Sequence, residues 1–328
     1  MNRFIQAKNL SLNYPQYSSL LRRQKNMIRA VNDINLTIFK GESLGLVGES
    51  GCGKSTLGKA LIRFYQPTHG HIFYYPPEHQ GSDPIDISTL SSRHLKKKGI
   101  RHRLQMLLQD HSSAMNPRMT VMKIIAEAIH ARPQKPKGGF HDEILSCLNQ
   151  VGLNETHLKR FPHELSGGQR QRICIARTLA IQPEFIVLDE PSSALDVSVQ
   201  AQILLLLNEI RQNLGITYLF ITHNLLVLKL VCTRVVVMYL GKIVEILDVQ
   251  DLFTHAKHPY TLTLLHCVPD LDRKDSIDPP KGEIPNASNL PSGCGFHQRC
   301  PYAAKACDQY DPTLKQISSN HWVSCHNI

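Results

Sequence analysis

A glycine-rich segment between an apolar strand and a helix constrains this chain more than any other part of its sequence. The run Ser43–Val47 is short and apolar, and a helical pattern covers Lys54–Phe64. The residues that join them fit the pattern G-x-x-x-x-G-K-[ST] followed by threonine: Gly48, Glu49, Ser50, Gly51, Cys52, Gly53, Lys54, Ser55 and Thr56. In this context the pattern predicts a loop that binds phosphate at the N-terminus of a helix.

Each part of this loop has a chemical reason. The glycines allow successive backbone N–H groups to converge on phosphate oxygens. Lys54 adds a positive charge at the β- and γ-phosphates, and the Ser55 hydroxyl is a candidate ligand for Mg²⁺. Cys52 is interpreted as a small filler and not as a nucleophile. By itself the loop therefore predicts only that a phosphate group is bound, with Mg²⁺ as its candidate metal ion.

Two adjacent acids follow a second apolar run. Phe185–Leu188 ends in Asp189 and Glu190, and a buried parallel strand that stops in carboxylates places them at the sheet edge where ligands bind. We expect Asp189 to hold Mg²⁺, directly or through water, and Glu190 to act as general base for the attacking water. Together with the upstream phosphate loop, this pair predicts nucleotide hydrolysis.

The order of apolar segments predicts the fold class. Strand-like runs alternate with helical patterns from Ser43 onward, which indicates an α/β fold with a parallel sheet covered on both faces. Residues 76–92 are interpreted as an irregular insertion, and residues 121–180 as mostly helical. The regular apolar pattern ends after Leu265, which places a domain boundary near Leu271.

Composition narrows the class of protein. No apolar run reaches the length of about 18 residues that a membrane span needs, so we expect a cytosolic chain that docks onto a membrane protein. The formal net charge of +10 favours a partner that carries negative charge. Six basic residues lie within Arg93–Arg103, and a solvated surface is the favoured interpretation of that run.

A third motif makes the resemblance specific. Leu165, Ser166, Gly167, Gly168 and Gln169 resemble the LSGGQ signature of ABC ATPases. The resemblance implies a P-loop NTPase core with a β subdomain and a helical subdomain at about residues 110–180. It also implies that two ATPase subunits enclose two nucleotides head to tail, because one chain's signature does not reach its own phosphate loop.

Other family elements occur in the expected order. Gln109 matches the glutamine that contacts Mg²⁺ and water and couples to the permease, and Ser193–Asp196 matches the D-loop, with Asp196 at its end. His223 matches the histidine that contacts the γ-phosphate. Tyr14 is the preferred candidate for the aromatic ring that stacks on adenine, with Tyr17 as the alternative.

Two positions depart from the family pattern. Asn224 stands where an aspartate commonly follows the histidine, and His111 stands where an aromatic residue is more usual. Neither change removes a group that the chemistry needs, so the resemblance implies an active ATPase.

The C-terminal part resembles the oligopeptide and dipeptide importer ATPases. The likeness rests on the His258–Thr261 segment (HPYT), on Gly282–Pro285 and on Pro291–Pro301. It implies an ABC nucleotide-binding domain over residues 1–271 and a cysteine-rich extension over residues 272–328. We refer to residues 272–328 as the C-terminal extension.

Four cysteines crowd this extension: Cys294, Cys300, Cys307 and Cys325. In a cytosolic chain such a cluster favours metal over disulfides. Four thiolates can hold a [4Fe–4S] cluster or a tetrahedral Zn²⁺ ion. The spacing lacks the paired C-x-x-C of common zinc sites, which favours iron–sulfur, while unliganded cysteines remain the alternative.

The resemblance implies the partners and the place of the protein. They are a second ABC ATPase subunit (a heterodimer is expected), two membrane permease subunits and an extracytoplasmic solute-binding protein, with the chain peripheral on the cytoplasmic face of the cell membrane. The leading function is ATP hydrolysis that drives import of oligopeptides or dipeptides. The alternatives are an importer for nickel or another small solute, and a soluble ABC ATPase that acts on nucleic acid. The positive charge and, more loosely, the cluster of cysteines agree with the second of these.

Overall fold

The computed structural model describes residues 2–17, 24–76, 83–108, 115–133, 139–193, 195–268, 282–283 and 285–328. The chain divides into two compact units. The first comprises Met1–Phe39, Ser43–Thr89 and Ile221–Ile328, and the second comprises Lys40–Glu42 and Leu90–Phe220. Within the described residues, none of the helices combines the length and the apolar character that crossing a membrane requires.

The first unit contains an antiparallel sheet of four strands in the order β2-β1-β4-β5. Its strands are β1 (Arg3–Tyr17), β2 (Gln24–Phe39), β4 (His69–Tyr74) and β5 (Ile85–Asp86). The long β1 and β2 strands pair along most of their length. Alternate residues are buried on each side of a register shift in β1: Ile5 and Ala7 before it, Leu10 and Leu12 after it. This is the alternation that the sequence shows at half-buried strands.

Five further strands of the first unit are neighbours in the order β11-β12-β10-β9-β3. They are β3 (Ser43–Val47), β9 (Arg234–Tyr239), β10 (Lys242–Asp248), β11 (Lys315–Ser318) and β12 (His321–Val323). Strand β3 runs parallel to β9, whereas β9, β10, β12 and β11 pair antiparallel. The prediction of a parallel sheet is therefore wrong for this part, where the sheet is mixed.

A two-residue turn explains this reversal of direction. Leu240 and Gly241 both adopt positive φ angles, of 44° and 81°, between Tyr239 and Lys242. Positive φ at both central residues is the geometry of the tight turns that join antiparallel strands. The chain therefore turns back at this point instead of crossing over through a helix.

The helices of the first unit are mostly short. They are α1 (Lys54–Leu61), α8 (Leu225–Val231), α9 (Leu252–His255), α10 (Pro259–His266) and α11 (Lys305–Gln309), with a 3-10 turn at His297–Arg299. Helix α1 ends three residues before the predicted end at Phe64. The reason is Arg63, which adopts a left-handed φ of 56° and donates from its Nε to the Ile87 carbonyl at 2.7 Å.

The described residues of the second unit form three strands and most of the helices. Its strands follow the order β8-β7-β6, with β6 (Leu104–Leu107) parallel to β7 (Phe185–Asp189) and β8 at Thr217–Ile221. The helices are α2 (Ser92–Lys97), α3 (Ile100–Arg103), α4 (Val121–His130), α5 (Phe140–Asn149), α6 (Gly167–Leu179) and α7 (Val197–Leu214), with 3-10 turns at Glu155–His157 and Pro162–Glu164. All five residues of β7 and of β8 are buried, as expected for strands covered on both faces.

The predicted irregular insertion over residues 76–92 is partly wrong. It contains strand β5, in which Asp86 and Ile85 pair with Phe73 and Tyr74 of β4. At its end, Ser91 caps helix α2 by accepting a hydrogen bond from the His94 amide at 3.3 Å. Residues 77–82 lie outside the described part of the chain.

Candidate functional site

The glycine-rich loop follows β3 and opens α1 in the first unit. Gly48 and Gly53 have φ angles of 151° and 104°. A Cβ atom on Gly48 would lie 2.2 Å from the Met238 carbonyl oxygen, and one on Gly53 would lie 2.0 Å from the Ala30 carbonyl oxygen. Only glycine fits at these two positions, because both the backbone angle and the neighbouring backbone exclude a side chain.

Lys54 is enclosed by its own loop. Its ammonium group donates to the carbonyl oxygens of Gly48 at 2.7 Å and of Glu49 at 2.9 Å, and the side chain is buried. The loop therefore fixes a positive charge at the start of α1, where the helix dipole also favours anions. Burial raises the pKa of the Cys52 thiol, which keeps that side chain neutral beside Lys54.

Tyr14 lies beside the same loop. The pKa of Tyr14 is raised by burial, with an opposing contribution from a hydrogen bond to the Thr56 side chain. Its ring meets that of Tyr65 edge to face, with centroids 5.8 Å apart. Tyr14 is half-buried, so it presents an aromatic surface next to the start of α1. The side chain of the alternative candidate, Tyr17, lies outside the described part of the chain.

His223 follows β8 and precedes α8, and its side chain is exposed. The preceding residue, Thr222, donates its amide to the Leu46 carbonyl of β3 at 3.2 Å. His223 thus lies at the end of β3 from which the phosphate loop leaves. Asn224 caps α8 by accepting from the Leu226 amide at 3.0 Å, a role in which asparagine and aspartate are equivalent.

Asp189 and Glu190 are described within the second unit. Asp189 ends strand β7 and is buried, while Glu190 adopts a left-handed φ of 49°. The Glu190 carbonyl accepts from the Ser193 hydroxyl at 3.2 Å, and the following Pro191 carbonyl accepts from the buried Gln171 amide at 2.6 Å. A non-glycine residue in this backbone region costs on the order of 1 kcal/mol, so surrounding contacts maintain a strained conformation at Glu190.

The signature segment begins helix α6 of the same unit. Ser166 and Gln169 form a reciprocal capping box: the Ser166 hydroxyl accepts from the Gln169 amide at 3.2 Å, and the Gln169 side chain accepts from the Ser166 amide at 3.1 Å. A Cβ atom on Gly168 would lie 2.7 Å from the Val199 side chain. The capping box leaves the amides of Gly167 and Gly168 in the first turn, where helical geometry provides no carbonyl partner.

Of the two remaining candidates, the structure describes Asp196 but not Gln109. Asp196 is exposed and precedes α7, whose first residue, Val197, is 84% exposed. Gln109 lies outside the described residues, as do His111 and Ala194. The structure therefore brings together Tyr14, the phosphate loop and His223 in one unit, and Asp189, Glu190 and the signature in the other.

Sequence reasoning missed two residues that contact the phosphate loop, Arg299 and Tyr260, and a third, Tyr239, that contacts Arg299. Arg299 of the C-terminal extension forms a two-pronged ion pair with Glu49, with N···O distances of 2.8 and 2.9 Å. The Tyr260 hydroxyl accepts from the Glu49 amide at 2.8 Å, and the Tyr239 hydroxyl lies 3.3 Å from Arg299. Tyr260 and Arg299 lie inside motifs that the resemblance singled out, but one sequence carries no signal of which residue they contact.

A buried carboxylate ties the extension to strand β10. Glu245 is fully buried and accepts from the amides of Lys257 at 2.7 Å and His258 at 3.2 Å. His321 Nε2 of β12 lies 2.7 Å from Glu245 Oε1, the oxygen that also accepts from the Lys257 amide. A buried carboxylate needs such partners, because burying it without them is costly.

Next to Glu245, the His258 side chain is buried and its Nδ1 accepts from the Tyr260 amide at 3.1 Å. Burial lowers the pKa of His258 from 6.5 to about 4, so the folded protein keeps the ring neutral in a range where the unfolded chain binds a proton. The contribution of the neutral ring is present above pH 6.5 and is lost as the pH falls from 6.5 towards 4.

We expect the free energy of unfolding to fall by up to about 3 kcal/mol through this group between pH 6.5 and 4. His258→Asn keeps an acceptor for the Tyr260 amide but does not titrate, so its stability curve should be flatter over this range. Urea unfolding of both proteins at half-unit pH steps gives the measurement. Parallel pH curves for the two proteins would contradict the assignment to His258.

The four cysteines of the extension are neighbours. Burial raises the pKa of the Cys294 thiol to about 11, with further contributions from Cys307, Cys300 and Cys325. The Cys307 sulfur accepts from the Ala304 amide at 3.5 Å, and the sulfurs of Cys294 and Cys300 also have backbone hydrogen bonds. None of the cysteines, all of which are described, forms a disulfide.

Their side chains do not, however, converge as a metal site. Among the described residues there is no group of three or more His, Cys, Asp or Glu side chains placed to hold a metal ion. The prediction of a [4Fe–4S] cluster, or of Zn²⁺ as its alternative, therefore has no support from these positions.

Comparison with known protein families gives two matches. Residues 31–193 match the ABC transporter family, and residues 244–307 match the family described as oligopeptide/dipeptide transporter, C-terminal region. The first match contains the phosphate loop, the signature and the Asp189–Glu190 pair. The second contains Tyr260, Arg299 and three of the four clustered cysteines.

Curated relatives are similar over most of the chain. The oligopeptide transport ATP-binding protein AppF of Bacillus subtilis is 41% identical over 326 residues, which cover 98% of this chain and 96% of the relative. The putative oligopeptide transport ATP-binding protein YkfD of the same organism is 43% identical, with 92% and 91% covered. A putative peptide import ATP-binding protein of Brucella ovis is 41% identical, with 91% and 92% covered.

Solved structures share the fold. The ATP-binding cassette MJ0796, in a dimeric post-hydrolysis state bound to ADP and Pi, is 27% identical, with a TM-score of 0.62 and coverage of 75% of this chain and 98% of its own. The cbiO1 protein of Clostridium perfringens, part of the ABC transporter complex cbiONQ, is 26% identical, with a TM-score of 0.64 and coverage of 78% and 92%.

Proposed function

The chain belongs to the ABC transporter family of ATP-binding proteins, and from that membership we propose that it hydrolyses ATP to power the import of oligopeptides or dipeptides. One observation carries the proposal: a complete phosphate-binding loop and the oligopeptide-type C-terminal region occur in the same chain. Relatives that are about 41% identical over nearly the whole chain are named for oligopeptide transport or peptide import.

In this proposal the first unit binds the nucleotide. Tyr14 stacks on adenine, and the loop from Gly48 to Thr56 surrounds the phosphates. Lys54 supplies the positive charge, which its hydrogen bonds to Gly48 and Glu49 already fix in position. Ser55 would hold Mg²⁺ together with Asp189 and Gln109, and the ion would neutralise charge on the phosphate oxygens.

Hydrolysis depends on residues that accept or position protons. Glu190 accepts the proton of the attacking water, and His223 contacts the γ-phosphate, which develops negative charge as it leaves. The strained backbone at Glu190 and the position of His223 after β8 support these roles. Gln109 completes the set by orienting the water.

The second half of the site comes from another subunit. Residues Leu165 to Gln169, and Asp196 after them, contact the nucleotide of a second ATPase subunit, and a heterodimer is the proposed pairing. The exposed capping box at Ser166 and the exposed side chain of Val197 support such a surface. Two membrane permeases and an extracytoplasmic solute-binding protein complete the transporter, with this chain peripheral on the cytoplasmic face. No nucleic acid is needed.

The finer layout stays a proposal. It has an ABC domain over residues 1–271, with a β subdomain and a helical subdomain at about residues 110–180, and the cysteine-rich extension over residues 272–328. In the extension, the occurrence of four cysteines in one short stretch of sequence is what favours a [4Fe–4S] cluster, with zinc as the alternative. Iron, sulfide and zinc analysis of anaerobically purified protein decides between them.

Reconstitution tests the proposed function. The complex assembled with its permeases and solute-binding protein in lipid vesicles should show ATP hydrolysis that rises several-fold on addition of oligopeptides. Nickel is the matched control for the small-solute alternative. Stimulation by nickel and not by peptides, or co-purification with RNA or DNA in place of permeases, would overturn the peptide assignment.

A further inference from the structure

Arg299, in the C-terminal extension, faces a residue of the phosphate loop. We infer that Arg299 is a positioning residue for nucleotide binding, which fixes and neutralises Glu49 and so makes nucleotide affinity depend on the extension. The inference rests on the proposed ATP-binding function and extends it, because it gives the region after the ATPase domain a role at the nucleotide itself.

The contact between the two side chains is specific. Both terminal nitrogens of Arg299 donate to the two carboxylate oxygens of Glu49, at 2.8 and 2.9 Å. The Arg299 side chain is 5% exposed and that of Glu49 is 22% exposed. A two-pronged pair shielded from water differs in kind from an exposed surface pair, which contributes little.

Glu49 uses every polar group it has within this unit. Its amide donates to the Tyr260 hydroxyl at 2.8 Å, and its carbonyl accepts from Lys54 at 2.9 Å. The carboxylate binds Arg299. Two of the three contacts therefore come from the C-terminal part of the chain, and the third is the lysine of the phosphate loop itself.

Arg299 is in turn held in place. The Tyr239 hydroxyl lies 3.3 Å from it, and the guanidinium carbon lies 5.8 Å from the centroids of the Tyr239 and Phe296 rings. Phe296 is 1% exposed and packs against Tyr260 with a centroid distance of 5.4 Å. A side chain held on several sides loses little entropy on pairing and fixes its partner effectively.

The contact matters for nucleotide binding because it neutralises the negative charge of Glu49. Glu49 stands next to Gly48 in a loop built to bind polyphosphate, so its carboxylate repels the ligand unless a cation neutralises it. Arg299 supplies that cation. If Arg299 is removed, an unpaired carboxylate remains in a partly buried place, and the loss is expected mainly in nucleotide affinity.

A double-mutant cycle on the full-length chain tests this. Dissociation constants for ADP with Mg²⁺ are measured by calorimetry for the wild type, Arg299→Met, Glu49→Gln and the double variant. We expect Arg299→Met to weaken binding roughly tenfold, and Glu49→Gln to bring the double variant back to within about threefold of the wild type. Arg299→Lys, which keeps the charge, should lie between these values.

Lys242→Met is the matched control. Lys242 forms an ion pair with Asp311, which also joins strand β10 to the extension, but it does not contact the phosphate loop. Its substitution should leave ADP affinity unchanged. Urea unfolding of every variant separates loss of binding from loss of folding. If Arg299→Met does not fold, the comparison of ADP affinities is made with Arg299→Lys instead.

Two results would overturn the inference. One is an Arg299→Met variant that binds ADP as tightly as the wild type. The other is weak binding that Glu49→Gln does not restore, which would make Arg299 a structural residue only. Failure of the wild type to bind ADP is a different result, because it would overturn the proposed ATPase function and the inference together.

Discussion

Replacing Glu190 with glutamine is expected to lower ATP turnover by about 10²- to 10⁴-fold while leaving ATP binding intact. Glutamine is nearly isosteric with glutamate but cannot accept the proton of the attacking water. Glu190 also follows the buried strand β7 and has a fixed backbone, so the amide should occupy the position of the carboxylate. The substitution replaces one carboxylate oxygen by an amide nitrogen, so it should remove hydrolysis without removing ATP binding.

The measurement compares phosphate release by the assembled transporter with nucleotide binding by the same preparation. Because ATP persists, the Glu190→Gln complex should also accumulate with its two ATPase subunits closed, which size-exclusion chromatography with and without ATP would detect. Glu209→Gln, in helix α7, is the matched control and should keep wild-type turnover. Unchanged phosphate release by Glu190→Gln would remove this residue from the role of general base.

The strands and turns that carry the chemistry were predictable because their signals are local. The strand Ser43–Val47, the glycines after it and helix α1 follow from a short apolar run and a fixed pattern of residues. The same holds for β7, where four apolar residues precede two acids. In each case the residues that decide the structure are neighbours in the sequence.

Strand β10 shows why the sequence pattern did not predict every strand. A glutamate interrupts its apolar pattern at position 245, and that side chain is nevertheless fully buried. Its partners Lys257 and His258 lie 12 and 13 residues away, and His321 lies 76 residues away. No local pattern predicts that such distant donors will satisfy a buried carboxylate.

The contact between Glu49 and Arg299 is a stronger case of the same limit. The two residues are 250 positions apart, and each has an ordinary local explanation, as a variable loop position and as a basic residue beside a cysteine. Only the fold shows that they meet. The cysteine spacing is a local signal that predicts a metal site, but among the described residues no group of three or more His, Cys, Asp or Glu side chains is placed to hold one.

The second large effect is expected at Gly53. Gly53→Ala should abolish measurable nucleotide binding, which means a loss of about 100-fold or more. The added Cβ would lie 2.0 Å from the Ala30 carbonyl oxygen, and the backbone there has a φ of 104°, so the loop cannot keep its shape. Lys54 follows directly, and any shift of Gly53 displaces its ammonium group and the start of α1.

Gly41→Ala is the control that separates two effects of an added Cβ: the collision with neighbouring atoms and the cost of a positive φ angle. Gly41 has a φ of 72°, but apart from its two chain neighbours no described residue has an atom within 4 Å of the added Cβ, and Gly41 is not part of the phosphate loop. This variant should lose about 1–2 kcal/mol of stability with unchanged ADP affinity. Gly53→Ala should lose affinity far beyond any such change in stability, because the displaced loop no longer directs its amides at the phosphates. Equal ADP affinities for Gly53→Ala and Gly41→Ala would refute the role assigned to the loop geometry.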